Sequence, residues 1–195
     1  MTLMRTLLAT LALTLPVAAS AQTSGRYEQL TLAVTGNTVS GVFSEGRVGN
    51  GSEAAPQFTC IFLLRGTLSN GRGQVRTWYP GEQPIKGSLA FRGTEASLML
   101  QENHGGCLNT SGDMVGQPFK ADLGKAAKGW TGVALVTARR AVLRPSPGAA
   151  AKAPYVVDGD AVAILERRAG WLRVAFAGEK TVTGWLRAGE VAIAE

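Results

Sequence analysis

The side chains best suited to chemistry in this sequence are one histidine and two cysteines. His104 is the only histidine, and it lies three residues before Cys107, while the other cysteine is Cys60. A histidine can take the proton of a neighbouring thiol and so create a thiolate nucleophile. Cys60, however, lies in the run Phe-Thr-Cys-Ile-Phe-Leu-Leu, which is typical of a strand buried on both faces. We therefore expect neither cysteine to be catalytic.

The amino terminus indicates the compartment in which the protein works. Arg5 is followed by an apolar run over residues 7–19 and by small residues up to Ala21. This order is typical of a secretory signal peptide over residues 1–21, with cleavage after Ala21. No later stretch is apolar enough to cross a bilayer. We therefore expect a periplasmic or extracellular protein without a transmembrane anchor.

Export also predicts the state of the two cysteines. In an oxidising compartment, an isolated pair such as Cys60 and Cys107 is expected to form a disulfide. The chain-entropy estimate for closing a loop of this size is about 4 kcal/mol. For a small domain, this is a large part of the free energy of unfolding.

Other kinds of catalysis lack their residues. A Ser-His-Asp triad of the hydrolase type needs a Gly-x-Ser-x-Gly turn, which the sequence does not contain. A zinc site needs three or four ligands, and one histidine with two oxidised cysteines does not supply them. Paired carboxylates could cleave glycosides, but the candidate residues are more typical of solvated turns and strand edges. These candidates are Glu45, Glu53, Glu82, Glu95, Glu102 and Asp113. We expect no enzymatic activity, no metal and no cofactor.

The charge of the chain limits its partners. The formal net charge is +6, and the basic residues are scattered, with no run longer than the pairs Arg139-Arg140 and Arg167-Arg168. Because an exported chain does not meet cytoplasmic nucleic acid, we expect no nucleic-acid binding. A mild attraction to anionic envelope polymers or lipid surfaces is the expected consequence.

Residues 22–128 are built from short segments of alternating polar and apolar residues, which predict half-buried strands. Six such segments are followed by the run from Asn103 to Cys107 and then by a turn-rich stretch over residues 108–128, in which Phe119 is the expected anchor to the core. Asn70-Gly71 predicts a tight hairpin. We predict a small antiparallel barrel or sandwich clasped by the disulfide. Its pattern resembles that of the calycins, the lipocalin-like barrels, although no motif is matched.

Residues 129–195 carry a more specific pattern. An arginine with nearby prolines is followed by a Gly-Asp turn, an apolar strand, Gly170-Trp171 and Gly184-Trp185. This order resembles the bacterial SH3 (SH3b) family, and the resemblance implies a small SH3-like barrel. The whole chain is thus expected to be all-β. The side chains expected to fill the core of this unit are Val162, Ile164, Leu172, Val174, Val182 and Val191.

The resemblance also implies a ligand groove lined by aromatic and polar side chains. The candidates are Arg144, Tyr155, Trp171 and Trp185, because aromatic rings supply stiff contact area and arginine supplies paired donors. Trp185 fits the core better than the ligand surface, and Trp171 fits either place. The sequence does not decide between these placements.

These observations lead to three hypotheses of function. The first is an exported, non-enzymatic binding protein of the bacterial envelope, whose SH3-like unit contacts peptidoglycan or a protein partner. The second is a periplasmic inhibitor or small-ligand carrier that acts through the amino-terminal barrel. The third is a cell-wall cysteine hydrolase, because SH3b units often accompany such enzymes.

Overall fold

The strong alternation of the first half of the chain becomes a closed barrel. The structure, a computed structural model, describes residues 22–52, 56–178 and 180–195. The predicted signal peptide, residues 1–21, lies outside the described residues. The barrel strands are β1 (Gly25–Tyr27), β2 (Leu30–Thr35), β3 (Thr38–Arg47), β4 (Phe58–Ser69), β5 (Arg72–Trp78), β6 (Ile85–Arg92), β7 (Glu95–Leu100) and β8 (Phe119–Ala126).

Each strand pairs with the next in antiparallel fashion, and β8 pairs back with β1. The predicted antiparallel barrel is confirmed, and the sandwich alternative is wrong because the β1–β8 pairing closes the sheet. The predicted hairpin at Asn70-Gly71 is also confirmed. Both residues have positive φ, 51° and 79°, as a two-residue turn between twisted strands requires.

The turn-rich stretch contains one strand that the pattern does not predict. In β8 only Ala121 is fully buried, and the partly buried Phe119 and Leu123 contact the same core. The remaining positions of β8 are exposed, so the apolar signal is weak. Phe119 is the anchor that we expected, since its ring meets that of Phe43 edge-on, with centroids 5.0 Å apart.

The inside of the barrel is a packed apolar core. The inward-facing side chains of β2 to β7 are buried and form one cluster. At its centre, Phe43 and Phe62 stack with their ring centroids 4.9 Å apart. Gly41 lies on the same strand as Phe43, and a Cβ there would come within 2.6 Å of the Leu32 side chain. Neighbouring strands therefore lie so close together that the side chains they carry fill the interior of the barrel.

The disulfide fastens the long connection between β7 and β8 across one end of the barrel. Cys60 of β4 bonds to Cys107 of a one-turn helix, α1 (Cys107–Thr110), over a separation of 47 residues. The preceding Gly106 has φ 78°, and a Cβ there would lie 2.1 Å from the carbonyl oxygen of Thr59. Only glycine fits this position. The predicted disulfide is confirmed.

The second half of the chain forms a separate set of strands. They are β9 (Gly132–Val136), β10 (Ala141–Val142), β11 (Tyr155–Val156), β12 (Ala161–Arg168), β13 (Trp171–Ala177), β14 (Thr181–Arg187) and β15 (Val191–Ile193). Five of them form a sheet in the order β14-β13-β12-β9-β15, and β10 and β11 form a hairpin. The expected core residues of this unit are buried in its apolar cluster, except Val182, which is partly buried and packs against the cluster. The described part of the chain is therefore all-β, apart from α1 and a short 3-10 turn, Ala188–Glu190.

The sheet unit packs directly onto the outer face of the barrel. Leu63 and Val42 on the barrel are fully buried against Val133 and Leu135 of β9 and against Trp130 before it. Their burial explains why the β4 sequence is apolar on both faces, since one face points into the barrel and the other meets the sheet unit. Among the described residues, no helix is long and apolar enough to cross a membrane.

Candidate ligand-binding site

The two Gly-Trp pairs bring their tryptophans to one face of the sheet unit. Strands β13 and β14 are antiparallel, with Trp171 opposite Arg187 and Arg173 opposite Trp185. The residues between them, Leu172 and Leu186, face the core. Because side chains alternate along a strand, each tryptophan shares the other face with the arginine of the neighbouring strand.

The two glycines have different roles. Gly170 has φ 73° and forms the turn between β12 and β13. At Gly184 a Cβ would lie 2.7 Å from the Cβ of Leu143. The absence of a side chain at Gly184 therefore lets the loop of residues 137–154 lie against β14.

That close approach positions Arg144. Its backbone forms an isolated bridge with Trp185, with an N–H donated in each direction at 3.0 and 2.7 Å. Its guanidinium lies 5.4 Å from the ring centroid of Trp171. Glu190 lies 3.6 Å from the same guanidinium, measured between Nη1 and Oε2. Arg144 is thus placed between an aromatic ring and a carboxylate.

A second guanidinium faces Trp171. The Arg187 guanidinium lies 5.6 Å from the Trp171 centroid, and the Arg187 backbone N–H donates to Glu190 at 2.8 Å. Arg168 covers Trp185 instead, at 5.0 Å. Arginines at these distances from a tryptophan face are attracted by its ring electrons. We call Arg144, Arg168, Trp171, Trp185, Arg187 and Glu190 the tryptophan–arginine cluster.

The two rings differ in access to solvent. Trp185 is only 6% exposed, which agrees with the expectation that it is a packing residue. Trp171 is partly exposed, so its ring is the one that a ligand can reach. The sequence did not decide whether Trp171 belongs to the core or to the surface. The structure places its side chain at the boundary between them.

Tyr155 lies in a different contact. It is 51% exposed on β11, and the Arg140 guanidinium lies 4.1 Å from its ring centroid. Arg140 also donates to the carbonyl oxygen of Lys152 at 3.2 Å. Tyr155 and Arg140 therefore form a second aromatic–arginine pair on the β10–β11 hairpin.

The sequence interpretation missed Arg168, Arg187 and Glu190. A signal was present for Arg187, because the tetrapeptide Gly-Trp-Leu-Arg occurs twice, at residues 170–173 and 184–187. Two copies on antiparallel neighbours place each tryptophan across from the other copy's arginine. For Glu190 and Arg168 no local pattern exists, since their roles depend on the turn after β14 and on a bulge in β12.

The residues considered for catalysis are used in packing and in turns. His104 is 5% exposed and stacks on Phe62, with ring centroids 4.4 Å apart. Both cysteines are in the disulfide, and no other cysteine is present. Among the described residues, no group of histidine, cysteine and acidic side chains could hold a metal ion.

Three of the acidic side chains are likewise bound to nearby donors. The Asp113 carboxylate accepts from the Asn103 side chain at 2.9 Å and from backbone N–H groups, and these bonds lower its pKa. The Asp160 carboxylate accepts the N–H of Val157 at 2.8 Å and so closes its turn. Glu45 accepts a short hydrogen bond from the Ser111 hydroxyl. Glu53 lies outside the described residues.

The tryptophan–arginine cluster is suited to an anionic ligand. Arg144, Arg168 and Arg187 contribute three positive charges, whereas Glu190 and the Glu166 partner of Arg168, at 2.6 Å, contribute two negative ones. Arginine donors fit a carboxylate in pairs, and the tryptophan face supplies apolar contact. No protein-family model, curated protein or solved structure matches the chain at a significant level, so the function of the cluster is inferred from its own geometry.

Proposed function

We propose that this chain is an exported, non-enzymatic binding protein of the bacterial envelope. Its carboxy-terminal unit, which resembles bacterial SH3 domains, binds the peptide part of peptidoglycan. The observation that supports this function is the partly exposed Trp171 ring with two guanidinium groups on it, at 5.4 and 5.6 Å. Stem peptides of the wall combine short apolar side chains with free carboxylates, which such a surface can bind.

The arrangement favours binding because it is held in place before the ligand arrives. Arg144 is bound to Glu190 and donates to the carbonyl oxygen of Val142 at 3.0 Å. The Arg187 backbone is tied to the same Glu190. Side chains that are already ordered lose less entropy on binding, so more of the contact free energy appears as affinity. A ligand carboxylate would replace water on the arginines while an apolar group covers Trp171.

The alternatives have less support. An intact disulfide between Cys60 and Cys107 offers no thiolate for a cysteine hydrolase. A carrier needs interior space, whereas the barrel is filled by its own side chains. An inhibitor or partner-binding role for the barrel surface stays a hypothesis. An acidic segment of an envelope protein is the remaining competitor for the tryptophan–arginine cluster.

Purified sacculi, freed of protein, test the proposal. The full mature chain is expected to sediment with sacculi at low salt, and Trp171→Ala should lower the bound fraction severalfold. A second variant, Arg144→Gln with Arg187→Gln, removes the charges without removing the ring. The matched control is Arg139→Gln with Lys128→Gln, two exposed positions with the same change in charge.

Each result has a clear meaning. Retention of the control on sacculi, together with loss of both cluster variants, supports binding at Trp171. Recovery of all the wild-type protein in the supernatant at low salt would contradict wall binding. Equal binding by wild type and both variants would show that the cluster is not the site. Circular dichroism and thermal melting of each variant show whether the fold is kept.

A further inference from the structure

The outer face of the barrel carries three cations side by side. Outward-facing positions of β4, β5 and β6 bring Arg65 opposite Arg76, and Arg76 opposite Lys86. Neighbouring strands lie about 4.8 Å apart, so the three side chains stand in one row across the sheet. Like charges placed directly opposite one another on a sheet are unfavourable. Repulsion within this row of three therefore lowers the stability of the sheet, and packing alone does not explain why the row is present.

This row has no ion-pair partner within residues 22–52, 56–178 and 180–195, where the ion pairs involve other residues. Arg65 donates to the carbonyl oxygen of Ala194 at 3.1 Å, which orients it without neutralising it. The basic residues that look scattered along the sequence are thus gathered by the strand register.

The row forms one wall of an open groove of about 840 Å³. A second row runs beside it, two residues further along each strand, where Thr38 faces Thr67 and Thr67 faces Gln74. Side chains two residues apart on a strand lie about 7 Å apart. The groove thus places uncharged hydroxyl and amide groups alongside the cations.

We propose that this groove binds an anionic glycan that carries phosphate or sulfate groups. The oxyanions lie on Arg65, Arg76 and Lys86, because a multiply charged oxyanion can accept from several cations at once. The sugar hydroxyls lie on the Thr38, Thr67 and Gln74 row. The residues that line the groove include no aromatic ring, and single-stranded nucleic acids are held largely by stacking on such rings. The groove is on the barrel and does not depend on the function proposed for Trp171.

A sulfated hexasaccharide with a fluorescent label provides the test, with neutral dextran, inorganic phosphate and a single-stranded oligonucleotide as further arms. The full mature chain is expected to bind the hexasaccharide at low ionic strength and not to bind dextran. Arg76→Gln with Lys86→Gln should weaken binding about tenfold or more, because two charge-assisted contacts are lost. The control pair, Arg47→Gln with Lys128→Gln, makes the same charge change at exposed positions away from the groove.

The outcomes separate the explanations. An equal loss in the control pair would mean attraction by net charge alone and would overturn the site. Inorganic phosphate that binds as tightly as the hexasaccharide would reduce the groove to a simple anion site, and tighter binding of the oligonucleotide would overturn the glycan. The groove variant is expected to melt at the same temperature as wild type or higher, since it relieves repulsion. A loss of hexasaccharide binding by this variant would then not result from unfolding. Because the variant keeps Trp171, its binding to sacculi tests the function proposed for Trp171 separately.

Discussion

Acidification is expected to destabilise the barrel through His104. The histidine ring is buried against Phe62, and its Nε2 lies 2.8 Å from the Thr77 hydroxyl oxygen. That hydroxyl donates its own hydrogen to the carbonyl oxygen of Ile85 at 3.2 Å. We infer that the Nε2–H of His104 donates to Thr77. The other ring nitrogen, Nδ1, is buried and has no hydrogen-bond partner among the described residues.

Protonation would place a hydrogen on Nδ1, where no group in the described part of the chain accepts it. Burial accordingly lowers the pKa of His104 from the ordinary 6.5 to about 4. A pKa that is lower in the folded than in the unfolded chain means that the unfolded chain binds the proton first as the pH falls. The stabilisation is therefore complete above pH 6.5 and is lost progressively as the pH falls towards 4. At about 1.4 kcal/mol for each pKa unit, the full loss is about 3 kcal/mol.

Two measurements check this prediction. Because His104 is the only histidine, its ring C–H resonance in a proton NMR titration is unambiguous and should shift with a midpoint near 4. Urea unfolding between pH 7.5 and 4.5, with the disulfide intact, should show a steeper loss of stability in wild type than in His104→Gln. The difference between the two chains removes the contribution of the carboxylates. An NMR midpoint near 6.5, or parallel stability curves for the two chains, would contradict the predicted role of His104.

Two further predictions concern the connections that hold each unit together. Replacing Cys60 and Cys107 by alanine should lower the free energy of unfolding by about 4 kcal/mol. Urea unfolding measures this change, and an unchanged free energy of unfolding would contradict the prediction. Gly184→Ala should push the loop at Leu143 away from β14 and cost about 1–3 kcal/mol. It should also weaken sacculus binding, because Arg144 moves with that loop. Gly189→Ala is the matched control, since its added Cβ would meet nothing within 4 Å, and equal effects of the two substitutions would contradict the role of close approach.

Much of the architecture follows from local patterns. Period-two alternation predicts the strands and the core of the sheet unit, because burial on one face of a strand repeats every second residue. Asn70-Gly71 predicts its turn because both residues tolerate positive φ. The disulfide was expected from the predicted export and from the presence of two cysteines. Strand β8 was not predicted because most of its positions are exposed and its apolar pattern is weak. It forms because it pairs with β7 and β1 when the barrel closes.

The sites show where local patterns end. The pattern of residues alone assigns Trp171 and Trp185 to strands and shows that the basic residues are scattered rather than in long runs. The contact of Arg187 and Arg144 with the ring of Trp171, and the row of Arg65, Arg76 and Lys86, follow only from the folded chain. Cross-strand neighbours depend on register, and register is set by turns, glycine contacts and sheet closure far along the chain.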